Sequence, residues 1–195
     1  MKSKTNYDAL CRAIEAKMSE GKKVSVAIDG YAAAGKTTLA AALSERFSAP
    51  VVHMDDFFLR PGQRTPARYA EPGGNVDRER FLAEVAPNIS SHASFSYRRF
   101  DCKKMALGER VEISENNVII VEGTYSCHVN LIYLYDFKIF VKTSKDEQRR
   151  RILERNGKDG LCAFEEKWIP LEERYFFAQK TEQKCDFVID NTVLL

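Results

Sequence analysis

The segment Gly30-Tyr31-Ala32-Ala33-Ala34-Gly35-Lys36-Thr37 fits the pattern G-x-x-x-x-G-K-[ST] without a gap, and it constrains the fold more than any other feature of the chain. A loop of this kind is a P-loop (Walker A). Its backbone N–H groups turn inward around a phosphate, and the helix behind it adds the positive end of its dipole. It therefore needs a strand before it and a helix after it, and both are present. Residues 23–28 are a mainly apolar run rich in Val, and residues 36–47 are rich in Ala and Leu, which favour helix. Gly30 and Gly35 allow the sharp turn and the close approach to phosphate. Ala32, Ala33 and Ala34 supply further N–H donors, Lys36 reaches β- and γ-phosphate oxygens, and Thr37 offers a hydroxyl to Mg²⁺. ATP and Mg²⁺ are the expected cofactors.

The rest of the chain reads as α/β. Tyr7, Leu10, Cys11, Ile14 and Met18 recur at helical spacing, so residues 6–20 form an amphipathic helix closed near Gly21. Residues 50–54 read as a short strand. Pro61, Gly62, Pro66, Pro72, Gly73 and Gly74 make 57–77 a long loop, of the sort that is functional or mobile. Asp77 caps a helix over 77–85, whose end Pro87 disturbs. Phe95 and Tyr97 alternate with polar residues and 110–113 follows a turn at Gly108, which suggests a hairpin across about 94–114. Residues 117–121 are an uninterrupted apolar run, as in a strand buried on both faces. Further strands follow at 137–141 and 187–189, with helices over 145–156 and 163–180. Strands alternating with helices imply βαβ units and a parallel sheet.

A length of 195 residues suits a single domain, 1–195. With 30 basic and 28 acidic side chains, the net charge of +2 offers no concentrated basic face for nucleic acid or membrane. Five scattered cysteines without a Cys-x-x-Cys pair argue against a disulfide framework or zinc knuckle and suit a reducing compartment. No stretch approaches the roughly 20 apolar residues of a membrane helix, and the first residues are not an apolar signal core. The expectation is a cytoplasmic protein with a small-molecule partner, and neither nucleic acid nor membrane. A homo-oligomer is compatible with this.

Three further groups carry chemistry. Glu122 follows the 117–121 strand at its carboxyl edge, beside the phosphates, and can hold Mg²⁺ directly or through its waters. Asp55 and Asp56 follow the second strand, at the edge where open α/β sheets bind ligands. One of them is suited to accept the proton of a hydroxyl being phosphorylated, while the other caps or ligates. His53 reads as a satisfied strand-end residue. Arg151 and Arg155 share a helix face within a lid over about 145–162, to which Gly157 and Gly160 give freedom. From there they can neutralise transition-state charge.

These segments occur in an order that resembles the uridine kinase and phosphoribulokinase family of P-loop kinases, and more narrowly its bacterial uridine-kinase-like members. The markers are the loop through Thr38, Met54-Asp55-Asp56-Phe57-Phe58, Pro72-Gly73-Gly74-Asn75-Val76-Asp77 with Arg80-Phe81, Tyr97-Arg98-Arg99-Phe100-Asp101, Val121-Glu122-Gly123-Thr124-Tyr125-Ser126, and Trp168-Ile169-Pro170-Leu171-Glu172-Glu173-Arg174-Tyr175-Phe176. The resemblance implies a nucleoside- or NMP-kinase-like three-layer fold, with a five-stranded parallel sheet, a small β-hairpin and a helical lid. It implies Asp55 as the proton acceptor beside Phe58, Glu122 as the Walker-B-type acid, and Arg151 and Arg155 as lid arginines. Tyr97, Arg99 and Asp101 are implied as acceptor contacts, and the segment ending at Asn191 as the neighbour of adenine. Thr124-Tyr125-Ser126-Cys127-His128 departs from authentic uridine kinases beside the acceptor pocket, which makes Tyr125 and His128 further candidate contacts. Trp168 reads as core and the start of a helix.

The expected activity is ATP-dependent phosphorylation of a hydroxyl on a nucleoside (uridine-like) or related metabolite. A sugar phosphate, glycerate or pantothenate-like acceptor fits the same residues, as does an idle nucleotide-binding module. A guanine-specific switch does not, because its Asn/Thr-Lys-x-Asp element is absent.

Overall fold

Apolar side chains alternate between two faces along each central strand, and helices cover both faces. The computed structural model describes residues 2–192. Its first half runs α1 (Lys2–Ser19), β1 (Val24–Gly30), α2 (Lys36–Phe47), β2 (Val51–His53), α3 (Pro66–Ala70), α4 (Arg78–Glu84) and α5 (Ala86–Ser91). The hairpin strands β3 (Phe95–Asp101) and β4 (Ala106–Ile113) follow, then β5 (Val118–Glu122) and β6 (Phe137–Lys142). The chain ends with α6 (Lys145–Ala163), α7 (Ile169–Gln179), α8 (Thr181–Lys184) and β7 (Phe187–Asp190). Five strands pair in parallel in the order β2-β5-β1-β6-β7, while β3 and β4 form a separate antiparallel pair. This is the α/β P-loop fold.

Val24, Val26, Ile28, Val118, Ile120, Ile139 and Val141 pack with Leu10, Ile14, Leu39 and Leu43 of α1 and α2. The intervening Ala27, Ile119, Val121 and Phe140 pack on the other side with Phe81, Ile89 and Tyr175 of α4, α5 and α7. Each such side chain contributes about 1.5–3 kcal/mol by leaving water. β1 lies between β5 and β6 and is buried along its whole length, so the loop that leaves it starts from rigid ground. At its end Gly30 has φ 137°, and a Cβ there would run into the Val141 carbonyl.

The segment 57–77 differs from the expected open loop. It follows a short turn at Met54–Phe57, contains α3 and another turn at Pro61–Gln63, and its two ends are joined. The Asp77 N–H donates to the Phe57 carbonyl at 2.7 Å, and Arg60 pairs with Asp77 at 3.0 Å. Arg68 donates to the carbonyls of Gly74 and Val76 at 2.8 and 2.9 Å and pairs with Glu79. Side chains thus close a segment whose composition signals only turns. In the hairpin the turn lies at 102–105, and Gly108 sits within β4, opposite a register shift between Arg98 and Phe100. α6 extends to Ala163 across a break at Gly157 (φ 71°, ψ −176°), whereas Gly160 is an ordinary helical position.

Candidate active site

The carboxyl ends of β1, β2 and β5 open onto a cavity of about 640 Å³. Ala32, Ala33, Gly35, Lys36, Thr37, Thr38, Asp55, Phe58, Glu122, Tyr125, Arg151, Arg155 and Asn191, all candidates from sequence, line it together. Two loop residues shape the cradle without lining it. The Gly30 carbonyl lies beneath, where it accepts from Lys36 Nζ at 2.9 Å and Thr124 Oγ1 at 3.0 Å. Ala34 is fully buried, and its N–H donates to the Tyr31 carbonyl at 3.1 Å. Its own carbonyl accepts from Asn191 Nδ2 at 3.0 Å. Positive φ at Ala33 (56°) and Gly35 (98°) bends the loop into the start of α2.

The Thr37 hydroxyl and the Glu122 carboxylate lie 3.4 Å apart. Glu122 is 6% exposed and also bonds His53 Nδ1 at 2.6 Å, which raises the pKa of His53. His53 is therefore satisfied, as expected, by Glu122. No cluster of three or more His, Cys, Asp or Glu forms a ready-made cage among the described residues. A hydroxyl and a carboxylate form an oxygen-only donor set, which fits Mg²⁺, an ion that keeps waters and binds through substrate phosphates.

The adjacent acids separate as required. Asp56 is buried; its oxygens accept from Tyr97 Oη at 2.8 Å and Arg99 Nε at 2.8 Å. Asp55 is exposed and opens its carboxylate to the cleft, where the protein atoms around it still desolvate the carboxylate and raise its pKa. The hairpin contacts need correction. Tyr97 is 2% exposed and packs in the core, with its hydroxyl committed to Asp56. Arg99 is tied to the same acid, away from the cavity wall. Asp101 accepts from the N–H groups of Lys103 and Lys104 at 2.8 and 3.1 Å, so it caps the hairpin turn.

His128 is corrected likewise. It is 3% exposed, stacks on Tyr175 with ring centroids 6.0 Å apart, and packs beside Gly73. Burial lowers its pKa to about 4, as suits a neutral core ring. Trp168 was expected in the core but lines the cavity, its ring 6.3 Å from that of Phe58. Asn75 joins them on the wall.

Arg151 donates to Glu147 at 2.7 Å, to the Asn191 carbonyl at 2.7 Å and to the Ala33 carbonyl at 3.3 Å. It is braced against the loop, while Arg155 stands over Phe164 at 5.7 Å beside the break at Gly157.

Sequence reasoning missed two acids. Asp29, fully buried one residue before the loop, accepts from the N–H groups of Gly30, Tyr125 and Cys127 and from Tyr175 Oη at 2.7–3.1 Å. Burial raises its pKa despite these donors. It holds Tyr125 at φ 82°, a strained conformation of the kind that needs such support. A charged residue inside an apolar strand was the available signal. Asp29→Ala leaves several buried donors unpaired, at about 1–3 kcal/mol each. A stability loss of at least about 3 kcal/mol is expected, read as a lower urea midpoint. The second acid, Glu172, lies on the buried face of α7 and lines the cavity.

No family model matches the chain. The chain is 27% identical over 217 residues to the "Putative uridine kinase" of Schizosaccharomyces pombe, with 97% of this chain and 90% of that protein covered. Its fold is similar to a "Possible Uridine Kinase" from Bacillus stearothermophilus, with TM-score 0.73, 20% identity, and 97% of this chain and 100% of that one covered. It is also similar to a "putative fructose transport system kinase" from Silicibacter sp. TM1040, with TM-score 0.68, 22% identity, and coverage of 93% and 98%. The resemblance to uridine-kinase-like P-loop kinases is thus borne out. Among the described residues, no helix is long and apolar enough to cross a membrane.

Proposed function

We propose that this chain, a uridine-kinase-like P-loop kinase, transfers the γ-phosphoryl group of ATP to a hydroxyl of an unphosphorylated, nucleoside-like acceptor. One observation carries the reading: the phosphate loop, the Thr37–Glu122 oxygen pair and the free carboxylate of Asp55 open on one cavity. The P-loop amides and Lys36 bind the β- and γ-phosphates. Thr37 and Glu122 would hold Mg²⁺, which supplies neutralisation of phosphate charge. Asp55 orients the acceptor hydroxyl and takes its proton as the P–O bond forms. Arg151 and Arg155 offset charge on the transferring group from the side of α6.

The acceptor wall supports a flat, uncharged partner. Phe58 and Trp168 offer ring faces, and Asn75 and Tyr125 offer polar contacts. Among the described residues the cations on the wall are Lys36, Arg151 and Arg155, all beside the loop or on α6. Arg60, Arg68 and Arg99 are paired with Asp77, Glu79 and Asp56, and Arg64 and Arg98 donate to backbone carbonyls. Among the described residues, none of these five arginines lines the cavity.

The test is ATP consumption across nucleosides, free sugars, sugar phosphates and small hydroxy acids. Stimulation above basal hydrolysis is expected with nucleosides. Stimulation by sugar phosphates alone would overturn the acceptor assignment, and none by any compound would leave the idle-module reading.

A further inference from the structure

The nucleotide side of the cavity contains an acid that phosphoryl transfer itself does not require. Glu172 is 2% exposed, yet it borders the cavity. Its carboxylate accepts the Ala32 N–H at 2.9 Å and Gln148 Nε2 at 2.8 Å. Gln148 in turn donates to the Ala32 carbonyl at 3.2 Å, so α6 and α7 close a ring on one residue of the P-loop. Three positions along α7, Tyr175 donates to Asp29 at the root of the same loop. Just before α7, Trp168 stands on the acceptor wall. Through Tyr175 and Glu172 the helix thus touches the root of the loop at Asp29 and its third residue, Ala32, and it borders the acceptor side.

Resting on the kinase reading above, we infer that Glu172 is a positioning residue that takes up a proton when a triphosphate occupies the P-loop, which makes nucleotide binding and the seating of α7 against the loop a single proton-linked event. The groups facing Glu172 set the sign. Burial is the largest influence and favours the neutral acid, and Asp29 at the end of β1 adds to it. Lys36 of α2, the Ala32 N–H and Gln148 of α6 favour the carboxylate, and the balance lies at about 7. The phenols of Tyr31 and Tyr125 also lie within its field.

Lys36 Nζ is held by the carbonyls of Gly30 and Tyr31 at 2.9 and 2.8 Å. A triphosphate draws that ammonium to its own oxygens and brings negative charge beside the carboxylate. Both changes penalise ionised Glu172, so its proton affinity rises on binding. Once protonated, the acid still accepts the Ala32 N–H through its carbonyl oxygen and gains an O–H donor. Nucleotide affinity is therefore highest below the free-chain value. It falls as pH rises towards the higher bound-state value, and is flat beyond it.

Calorimetric titration with Mg²⁺ and a non-hydrolysable ATP analogue, in buffers of different ionisation enthalpy, counts the protons. At pH 7.5 the wild type is expected to take up a measurable fraction of a proton more than Glu172→Gln, a difference that cancels protons released by the phosphates. Equal counts would overturn the assignment. If Glu172→Gln fails to bind, Gln148→Met decides. It removes a donor to the carboxylate, so uptake should move to higher pH, and an unmoved profile would overturn the assignment. Failure of the wild type to bind nucleotide would remove the kinase reading itself, whereas binding without the proton difference removes only the role of Glu172.

Discussion

Asp55→Asn is expected to leave nucleotide binding nearly intact and to slow phosphoryl transfer by at least about 100-fold, the scale of a positioned base. The neighbouring acids make the prediction specific. Asp56 already receives Tyr97 and Arg99, and its backbone carbonyl receives Arg80, so it holds the hairpin and α4 to the end of β2. Asp55 has no hydrogen-bond donor among the described residues and faces the cavity. Asn has the same shape but cannot take the proton, so folding and the phosphate loop should be untouched. The base must be ionised to act, and desolvation by the surrounding cleft raises its pKa. Transfer by the wild type should therefore fall on the acid side with a midpoint above the usual carboxylate range, and level off as pH rises. The check is single-turnover transfer with the best acceptor from the screen, beside nucleotide affinity. A mutant that transfers at nearly the wild-type rate would remove Asp55 from the base role.

The nucleotide half of this site was legible because its parts are local in sequence. Gly30 through Thr38 must lie between a strand and a helix, and Glu122 and Asp55 each follow directly on an apolar strand. Their common direction follows from parallel pairing, which brings His53 opposite Glu122 and Ile28 beside it. The acceptor half depends on contacts across long separations, which periodicity does not report. Tyr97 alternates along β3 as an acceptor contact would, but the position of Asp56 turns its hydroxyl into the core. Trp168 looks like core by composition and reaches the cavity only because the chain makes a wide turn over Phe164–Trp168 before α7. Asp29 was passed over because the expected strand ended at Ile28, and Glu172 because its Glu-Glu-Arg surroundings resemble an exposed helix face.

Lys36 provides the second large effect. Lys36 is 9% exposed, and its ammonium is folded back on the carbonyls of Gly30 and Tyr31 beside the cavity lined by Ala33, Gly35 and Thr37. Those carbonyls hold the charge beside the cavity. The fully buried β1 holds the Gly30 carbonyl in place in turn, so little reorganisation is needed there when phosphate oxygens replace it. Removing one such preorganised electrostatic group typically costs about 10²–10³-fold in turnover. Lys36→Met keeps the apolar stem and removes the charge, and a loss of that size is expected with only a small change in melting temperature. Lys36→Arg should not restore the rate, because a planar guanidinium cannot replace a compact ammonium in a loop this tight. Lys36→Met should also weaken triphosphate binding, whereas Asp55→Asn should not, so measuring affinity and transfer on both variants separates the two halves of the site. Near-wild-type transfer by Lys36→Met would sink the P-loop mechanism, whatever Asp55 does.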